Sequence, residues 1–275
     1  MMEKYTMHSE REQKMIAAVL HAGAYVRGSH ETDHKEKSNA KDFVTVADIK
    51  SQDMLRHELT AAFPTVAILS EEDDEAARQA LYAVDFTGFV LDPIDGTYNF
   101  KRGMKESAVS VGFIQNGEPI AGAVYDPYRD ELYTSEKGIG AFCNGEEISV
   151  STQRQLDGAS IATSNSYDSE AMARNLRRHM LIFERTGVMP WTSCPGSGIL
   201  IMVWVACGRI DAYHHNGLKP WDNAAAFLIA REAGAAVYAL GEKKDATFTS
   251  QSVVMGQPEI VEQLEAIFTG HQELL

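Results

Sequence analysis

The sequence predicts an α/β (α+β) fold: a layered αβαβα sandwich in which helices alternate with mixed, largely antiparallel sheets. Three observations predict it. The dipeptide Asn116-Gly117 joins two apolar runs, 108–114 and 119–125, and is a strong hairpin-turn signal. Short runs at 132–135 and 138–145 extend that hairpin into an antiparallel meander. The second half instead alternates short strands with helices that end at Gly208 and Gly234. The chain has 275 residues, enough for one large core. It is expected to form a single compact domain over 1–275, and any subdivision would fall near 150. There is no GxGxxG and no P-loop lysine motif, which argues against nucleotide-cofactor chemistry.

Taken in order, Met15, Ile16, Val19, Leu20 and Val26 fall at helical spacing, with Gly23 on the same stripe and Gly28 to end the helix. Residues 29–40 are polar without periodicity and read as a mobile surface loop. A second helix opens within 42–48. Thr45 suits its N-cap, Asp48 would complete a variant capping box, and Ile49, Leu55, Leu59 and Phe63 form the apolar side. Pro64 ends it. A short strand at 66–69 runs into the acidic stretch 70–75, which reads as a solvated loop placed at a strand end. Residues 88–91 form a buried strand that breaks at Asp92-Pro93, because proline lacks an N–H and disfavours helix in the residue before it. Beyond the meander come a strand at 160–163, a helix at 170–183 and an apolar helix at 199–206. A strand at 210–213, a helix at 222–233, a strand at 252–255 and a helix opened by Pro258 follow.

Composition narrows the function. Net charge is −14, which argues against nucleic acid or an anionic membrane as the primary ligand. The three cysteines, Cys143, Cys194 and Cys207, form neither a CxxC nor a disulfide framework and suit a reducing compartment. The N-terminal stretch has no apolar h-region, and the longest apolar run, 199–207, is too short to span a bilayer. A cytoplasmic address follows as the expectation.

The most informative stretch is Gly88-Phe89-Val90-Leu91-Asp92-Pro93-Ile94-Asp95-Gly96-Thr97-Tyr98-Asn99-Phe100. It places two carboxylates at the end of a buried strand above a small-residue turn. Hard divalent cations prefer oxygen ligands, and Mg²⁺ is commonly held by one or two carboxylates plus substrate phosphate. Gly96 would let the backbone approach an anion, and the amides around Gly96 and Thr97 could cradle it. Asp-Pro or Asp-Gly alone is ordinary turn chemistry. Singly, Asp48 and Asp222 can also be read as helix-start acids and nothing more.

The whole string resembles the signature of the inositol monophosphatase family of metal-dependent, lithium-sensitive phosphomonoesterases. The resemblance continues in Lys41-Asp42-Phe43-Val44-Thr45-Val46-Ala47-Asp48, in Ser70-Glu71-Glu72, and in Trp221-Asp222 with Arg231-Glu232-Ala233-Gly234. It implies the inositol monophosphatase/sugar phosphatase-like fold, a homodimer, and two or three Mg²⁺ ions. By position, Glu71, Asp92 and the Ile94 carbonyl would hold one ion, Asp92, Asp95 and Asp222 a second, and Glu71 would share a third. Thr97 paired with Asp48 would orient the attacking water. Gly96, Thr97, Gly196, Ser197 and His215 would join Asp95 and Asp222 around the substrate, and Lys37 would sit in a flap over the metals.

The departures concern substrate. His215 stands seven residues before Asp222, where relatives acting on inositol phosphate usually carry a glutamate. His214 and His215 can be read as exposed loop residues, or His215 as a substrate contact. Inositol monophosphate is the first expectation, partly because Asn99-Phe100 completes that subgroup's signature. Histidinol phosphate, fructose bisphosphate and adenosine bisphosphate share the same chemistry. Ca²⁺ or Mn²⁺ would also suit carboxylates. A reading of another class is a regulatory binding protein on the phosphatase fold, since some bacterial relatives are linked to transcription complexes.

Overall fold

Ser9 caps the first helix, α1 (Glu10–Gly28), by accepting from the Glu12 amide. The computed structural model describes residues 9–40, 42–187, 191–242 and 244–271; Lys41 of the first motif and the first eight residues lie outside them. The second helix, α2 (Val46–Ala62), is capped by Thr45 with the full capping box to Asp48. The stretch before it departs from expectation. Residues 34–39 and 42–45 pair as a polar antiparallel ribbon, β1 (His34–Asn39) with β2 (Asp42–Thr45), rather than a loop and a helix start. Its buried side chains among the described residues are Phe43 and the polar Thr45, so it carries no apolar alternation to announce itself.

Strands β3 (Ala67–Ser70), β4 (Gly88–Asp95), β5 (Ala108–Gln115), β6 (Glu118–Asp126), β7 (Glu131–Glu136), β8 (Gly140–Cys143) and β9 (Glu146–Glu147) form a first, seven-stranded sheet in sequential order. Only β3 and β4 run parallel; every later pair is antiparallel. Asn116 and Gly117 both take positive φ in the β5–β6 turn, as that hairpin requires. Strand β4 does not stop at Pro93. It continues to Asp95, and its register with β5 shifts between Asp92 and Asp95. That irregularity admits a residue without an N–H into a strand. Between β3 and β4 the acidic run gives way to a short helix, α3 (Glu75–Gln79), followed by a 3₁₀ turn at Ala80–Tyr82.

After β4 comes the short α4 (Thr97–Lys101), entered through Gly96 at φ +85°. A Cβ there would lie 2.9 Å from the Glu106 carbonyl, so the turn needs glycine for both conformation and space. The second sheet has six strands. It comprises β10 (Ser160–Ala162), β11 (Trp191–Ser193), β12 (Ala212–Asn216), β13 (Ala236–Ala239), β14 (Lys244–Asp245) and β15 (Ser252–Gly256), in the order β11-β10-β12-β15-β13-β14. The pairs β11/β10 and β10/β12 are parallel and the others antiparallel. The short edge strands β11 and β14 left no sequence signal. Strand β12 starts later than the expected 210–213 and takes in His214 and His215, which are buried strand residues rather than an exposed loop.

The remaining helices are α5 (Ser169–Thr186), α6 (Gly198–Ala206), α7 (Pro220–Glu232) and α8 (Pro258–Phe268). Helices α1 and α2 cover one face of the first sheet, α6 and α7 lie between the sheets, and α5 and α8 cover the far face of the second. The five-layer αβαβα order matches the sequence expectation. Apolar clusters fill the layer boundaries, the largest around α6 and α7. Gly112 lets α7 lie close on β5, because a Cβ there would come within 2.6 Å of Ala224. That approach brings the start of α7 beside the end of β4.

Candidate active site

Strand β4 delivers Asp92 and Asp95, β3 leads into Glu71, and the first turn of α7 supplies Asp222. Each carboxylate has a local reason for its place. Asp222 is the third residue of a helix that starts at Pro220, and its Oδ2 accepts from the Lys219 amide at 2.7 Å. Asp95 Oδ2 accepts from the Ile199 amide at 2.8 Å and from the Ser197 hydroxyl, so the start of α6 holds it. Asp92 is buried, and its Oδ1 has no hydrogen-bond partner among the described residues. Oxygens of Asp92, Asp95 and Asp222 lie within 4.8 Å of one another.

Such crowding is costly for like charges. Burial, then Glu71, Asp95 and Asp222, push the Asp92 carboxyl well above the usual carboxylate range. Burial and then Asp95 do the same to Asp222. Burial raises Asp95 to about 6 against the hydrogen bonds from Ser197 and Ile199. A buried orphan oxygen inside a set of hard oxygen donors is what a divalent cation would satisfy, so these residues fit a metal of the Mg²⁺ kind.

Beside this cluster stands a second arrangement. Asp48 Oδ2 accepts from the Thr45 amide at 2.8 Å, completing the helix cap. Its other oxygen, Oδ1, lies 3.1 Å from the Thr97 hydroxyl, which also lies 3.0 Å from the Ile94 carbonyl. One hydroxyl proton is therefore shared between two acceptors. Burial raises Asp48 to about 6, with the bonds from Thr45 opposing it. Ser51 donates to the Pro93 carbonyl at 2.8 Å, and Asn99 donates to the carbonyls of Glu106 and Pro195 at 2.8 and 2.7 Å. Sequence reasoning missed both tethers, because their partners are distant in the chain.

All these groups surround one cleft of roughly 1640 Å³. Of the residues singled out from sequence, Asp48 and Ser197 lie buried beneath its wall, and the others line it. Lys37, on β1, donates to Glu71 Oε1 at 2.9 Å and Glu72 Oε1 at 2.7 Å. Burial lowers its ammonium, but the two carboxylates outweigh burial and the net shift is upward. Glu72 is raised to about 8 by burial and by Glu71, with Lys37 opposing. His215 is held by Ser164 and Asn175, and burial followed by Arg178 lowers it to about 3, so its ring is neutral.

The layered fold and the carboxylate cluster define a protein of the Mg²⁺-dependent phosphomonoesterase superfamily. More narrowly, the chain belongs to the inositol monophosphatase family, whose family model matches residues 1–273. It is 34% identical to inositol monophosphatase 1 of Solanum lycopersicum over 253 residues, 90% of each chain. It is 32% identical to the Nus factor SuhB of Escherichia coli (strain K12) over 262 residues, 91% of this chain and 92% of that one. Among solved structures, the extragenic suppressor protein suhB of Bartonella henselae matches with a TM-score of 0.83 at 30% identity. The match covers 94% of this chain and 98% of that one. No helix among the described residues is long and apolar enough to cross a membrane.

Proposed function

We propose that this chain is a phosphomonoesterase that hydrolyses inositol monophosphate to inositol and phosphate. The observation that carries the reading is the convergence of Asp92, Asp95 and Asp222 in a cleft, with the buried Asp92 Oδ1 unpartnered among the described residues. Asp92, Asp95, Asp222, Glu71 and the Ile94 carbonyl would hold two or three Mg²⁺. Bound there, Mg²⁺ would screen the phosphate dianion, lower the pKa of water and steady the departing alkoxide. The chain's own residues supply the rest. The Thr97 hydroxyl, fixed between Asp48 Oδ1 and the Ile94 carbonyl, orients a water for in-line attack on phosphorus. The water's proton passes through Thr97 Oγ1 to Asp48 Oδ1, whose raised pKa suits it to hold a proton near neutrality. The new P–O bond forms as the ester P–O bond breaks, and the alcohol leaves after taking up a proton from solvent. Gly96, at positive φ, keeps the turn beside Thr97 open to the phosphate.

Ser197 serves the same site from below, by holding Asp95. Because α7 packs on both sheets, the chain is read as one working unit. A homodimer and a cytoplasmic address belong to the same proposal. Light scattering checks the first.

The test is phosphate release from a panel of inositol, sugar, histidinol and nucleotide monoesters, with and without Mg²⁺ and with added Li⁺. Mg²⁺-dependent, Li⁺-sensitive release greatest on inositol monophosphate is expected. A maximum on another ester moves the substrate and keeps the chemistry. A second reading, a regulatory binding protein, draws on the comparable identity to a relative named as a Nus factor. Failure to bind Mg²⁺ by calorimetry would favour it.

A further inference from the structure

Asn175, on α5, is completely buried. Its Oδ1 accepts from the Asn216 amide at 2.9 Å and from Arg178 Nη1 at 3.3 Å. A peptide N–H and a guanidinium can only donate, so these two contacts settle which end of the amide is oxygen. Nδ2 therefore faces His215 Nδ1, at 3.0 Å. An amide NH₂ can only donate, so Nδ1 presents its lone pair.

The neighbours agree. Ser164 Oγ lies 3.1 Å from the same ring nitrogen and 2.7 Å from the Tyr213 hydroxyl. With Nδ1 accepting, the Ser164 hydroxyl and Asn175 Nδ2 share its one lone pair in a three-centre bond, and Ser164 accepts from Tyr213. Tyr213 also stacks on the ring, with centroids 5.8 Å apart and planes 8° apart, which holds the plane of the imidazole. The other ring nitrogen, Nε2, has no hydrogen-bond partner among the described residues, is not sealed from solvent, and belongs to a side chain that lines the cleft.

We propose that Asn175 locks His215 in the tautomer with its proton on Nε2, so that His215 is a specificity-determining donor. The cleft then favours phosphate esters that present an acceptor to it, a carboxylate above all. A hydroxyl is taken through its lone pairs. A donor-only group such as an ammonium meets N–H against N–H and is disfavoured. Asn175 is the positioning residue. That the ligand is a phosphate ester rests on the phosphatase reading; the polarity of the contact rests on the hydrogen-bond geometry.

The experiment uses the full chain with isotope-labelled histidine nitrogens in the presence of Mg²⁺. The His215 resonances are identified by their loss in His215→Gln. The wild-type spectrum is expected to show the Nε2–H tautomer, and an Nδ1–H signature overturns the assignment. Asn175→Asp replaces the NH₂ by an oxygen that only accepts, and the signature is expected to invert to Nδ1–H. Glucuronic acid 1-phosphate and glucose 1-phosphate differ in one group, a carboxylate against a hydroxymethyl. The ratio of kcat/KM for the first over the second is expected to fall about tenfold in Asn175→Asp, the worth of one hydrogen bond to a charged group. The change should lie in KM for the glucuronate ester. An inverted tautomer with an unchanged ratio overturns the contact. If the wild-type protein releases phosphate from neither ester, the phosphatase reading is decided separately, by the wider panel of monoesters. The contact is then read from the His215 Nε2–H resonance on adding glucuronic acid 1-phosphate: a shift supports it and no shift overturns it. The wild-type spectrum and titration decide the matter equally if Asn175→Asp does not fold.

Discussion

At the end of β4, Asp92, Asp95 and Asp222 crowd acidic groups together; behind β12, Arg178, His179, His214 and His215 crowd basic ones. The acidic groups are all pushed upward and the basic groups all downward, by burial first; like charges nearby add to it at Asp92, Asp222, His214 and His215. The difference is access. His214 packs edge-on against His179 and against Phe268 of α8, and its ring is sealed from solvent. That cluster relieves itself by keeping its histidines neutral. The acidic cluster opens on the cleft, with Asp95 and Asp222 partly exposed, so a cation can enter and neutralise it. A buried charge cluster with an entrance reads as a site, and one without an entrance reads as framework; His215, at the cleft edge of the basic cluster, belongs with the site.

The largest expected effect breaks the acidic side. Asp95→Asn should lower phosphate release on the order of a thousandfold, about 4 kcal/mol of lost transition-state stabilisation, with unchanged circular dichroism. An active Asp95→Asn protein would sink the site assignment. Next comes the framework. Arg178→Met removes a fully buried guanidinium that Glu265 helps to keep charged and that also holds Asn175. Urea unfolding should show a loss of about 3 kcal/mol. A neutral substitution would mean that Arg178 only fills space.

Acid should separate the two clusters. The histidines have native pKa values below the unfolded value, so above about pH 6.5 they cost nothing, and below it the unfolded chain gains protons that the native state refuses. For His215 this loss runs from about 6.5 down to about 3. Each such histidine should cost about 1.4 kcal/mol per pH unit in that window. The metal-free carboxylates act oppositely: their native pKa values lie above the unfolded ones, and protonation relieves the native state as pH falls. Without Mg²⁺, Asp92→Asn should therefore be more stable than wild type at neutral pH and lose stability more steeply on acidification. Parallel unfolding curves at pH 7.5 and 5.5 would contradict this. The smallest effect concerns Lys37, which competes with any cation for Glu71. Lys37→Gln should lower the Mg²⁺ needed for half-maximal activity a few-fold, a change of under about 1 kcal/mol for a partly exposed pair.

A helix cap and a carboxylate turned to the site are not alternatives at Asp48 or Asp222. Both are third residues of their helices, and both return one oxygen to a backbone amide at the helix start. At Asp48 the cap leaves Oδ1 free to meet Thr97. From sequence the cap was the sufficient explanation; in the fold it is what aims the carboxylate. The reverse holds for Ser197, a residue that the motif suggests for substrate and the fold buries against Asp95.

By itself the sequence determined the features satisfied within a few residues: the Thr45–Asp48 capping box, the Asn116-Gly117 hairpin, the meander, and the glycine-ended helices. It also determined which acids were available and in what order, because a motif carries its own spacing. Only the tertiary structure decided the pairings that have no local trace. The β1–β2 ribbon is polar, so no apolar period marks it. His214 and His215 look like loop residues until β15 pairs alongside β12 and buries them. Asn175 meets His215 across 40 residues of chain, and Ser197 meets Asp95 across 102. Such contacts are set by how the layers stack, and a hydrogen bond between distant residues leaves no pattern in the residues beside either partner.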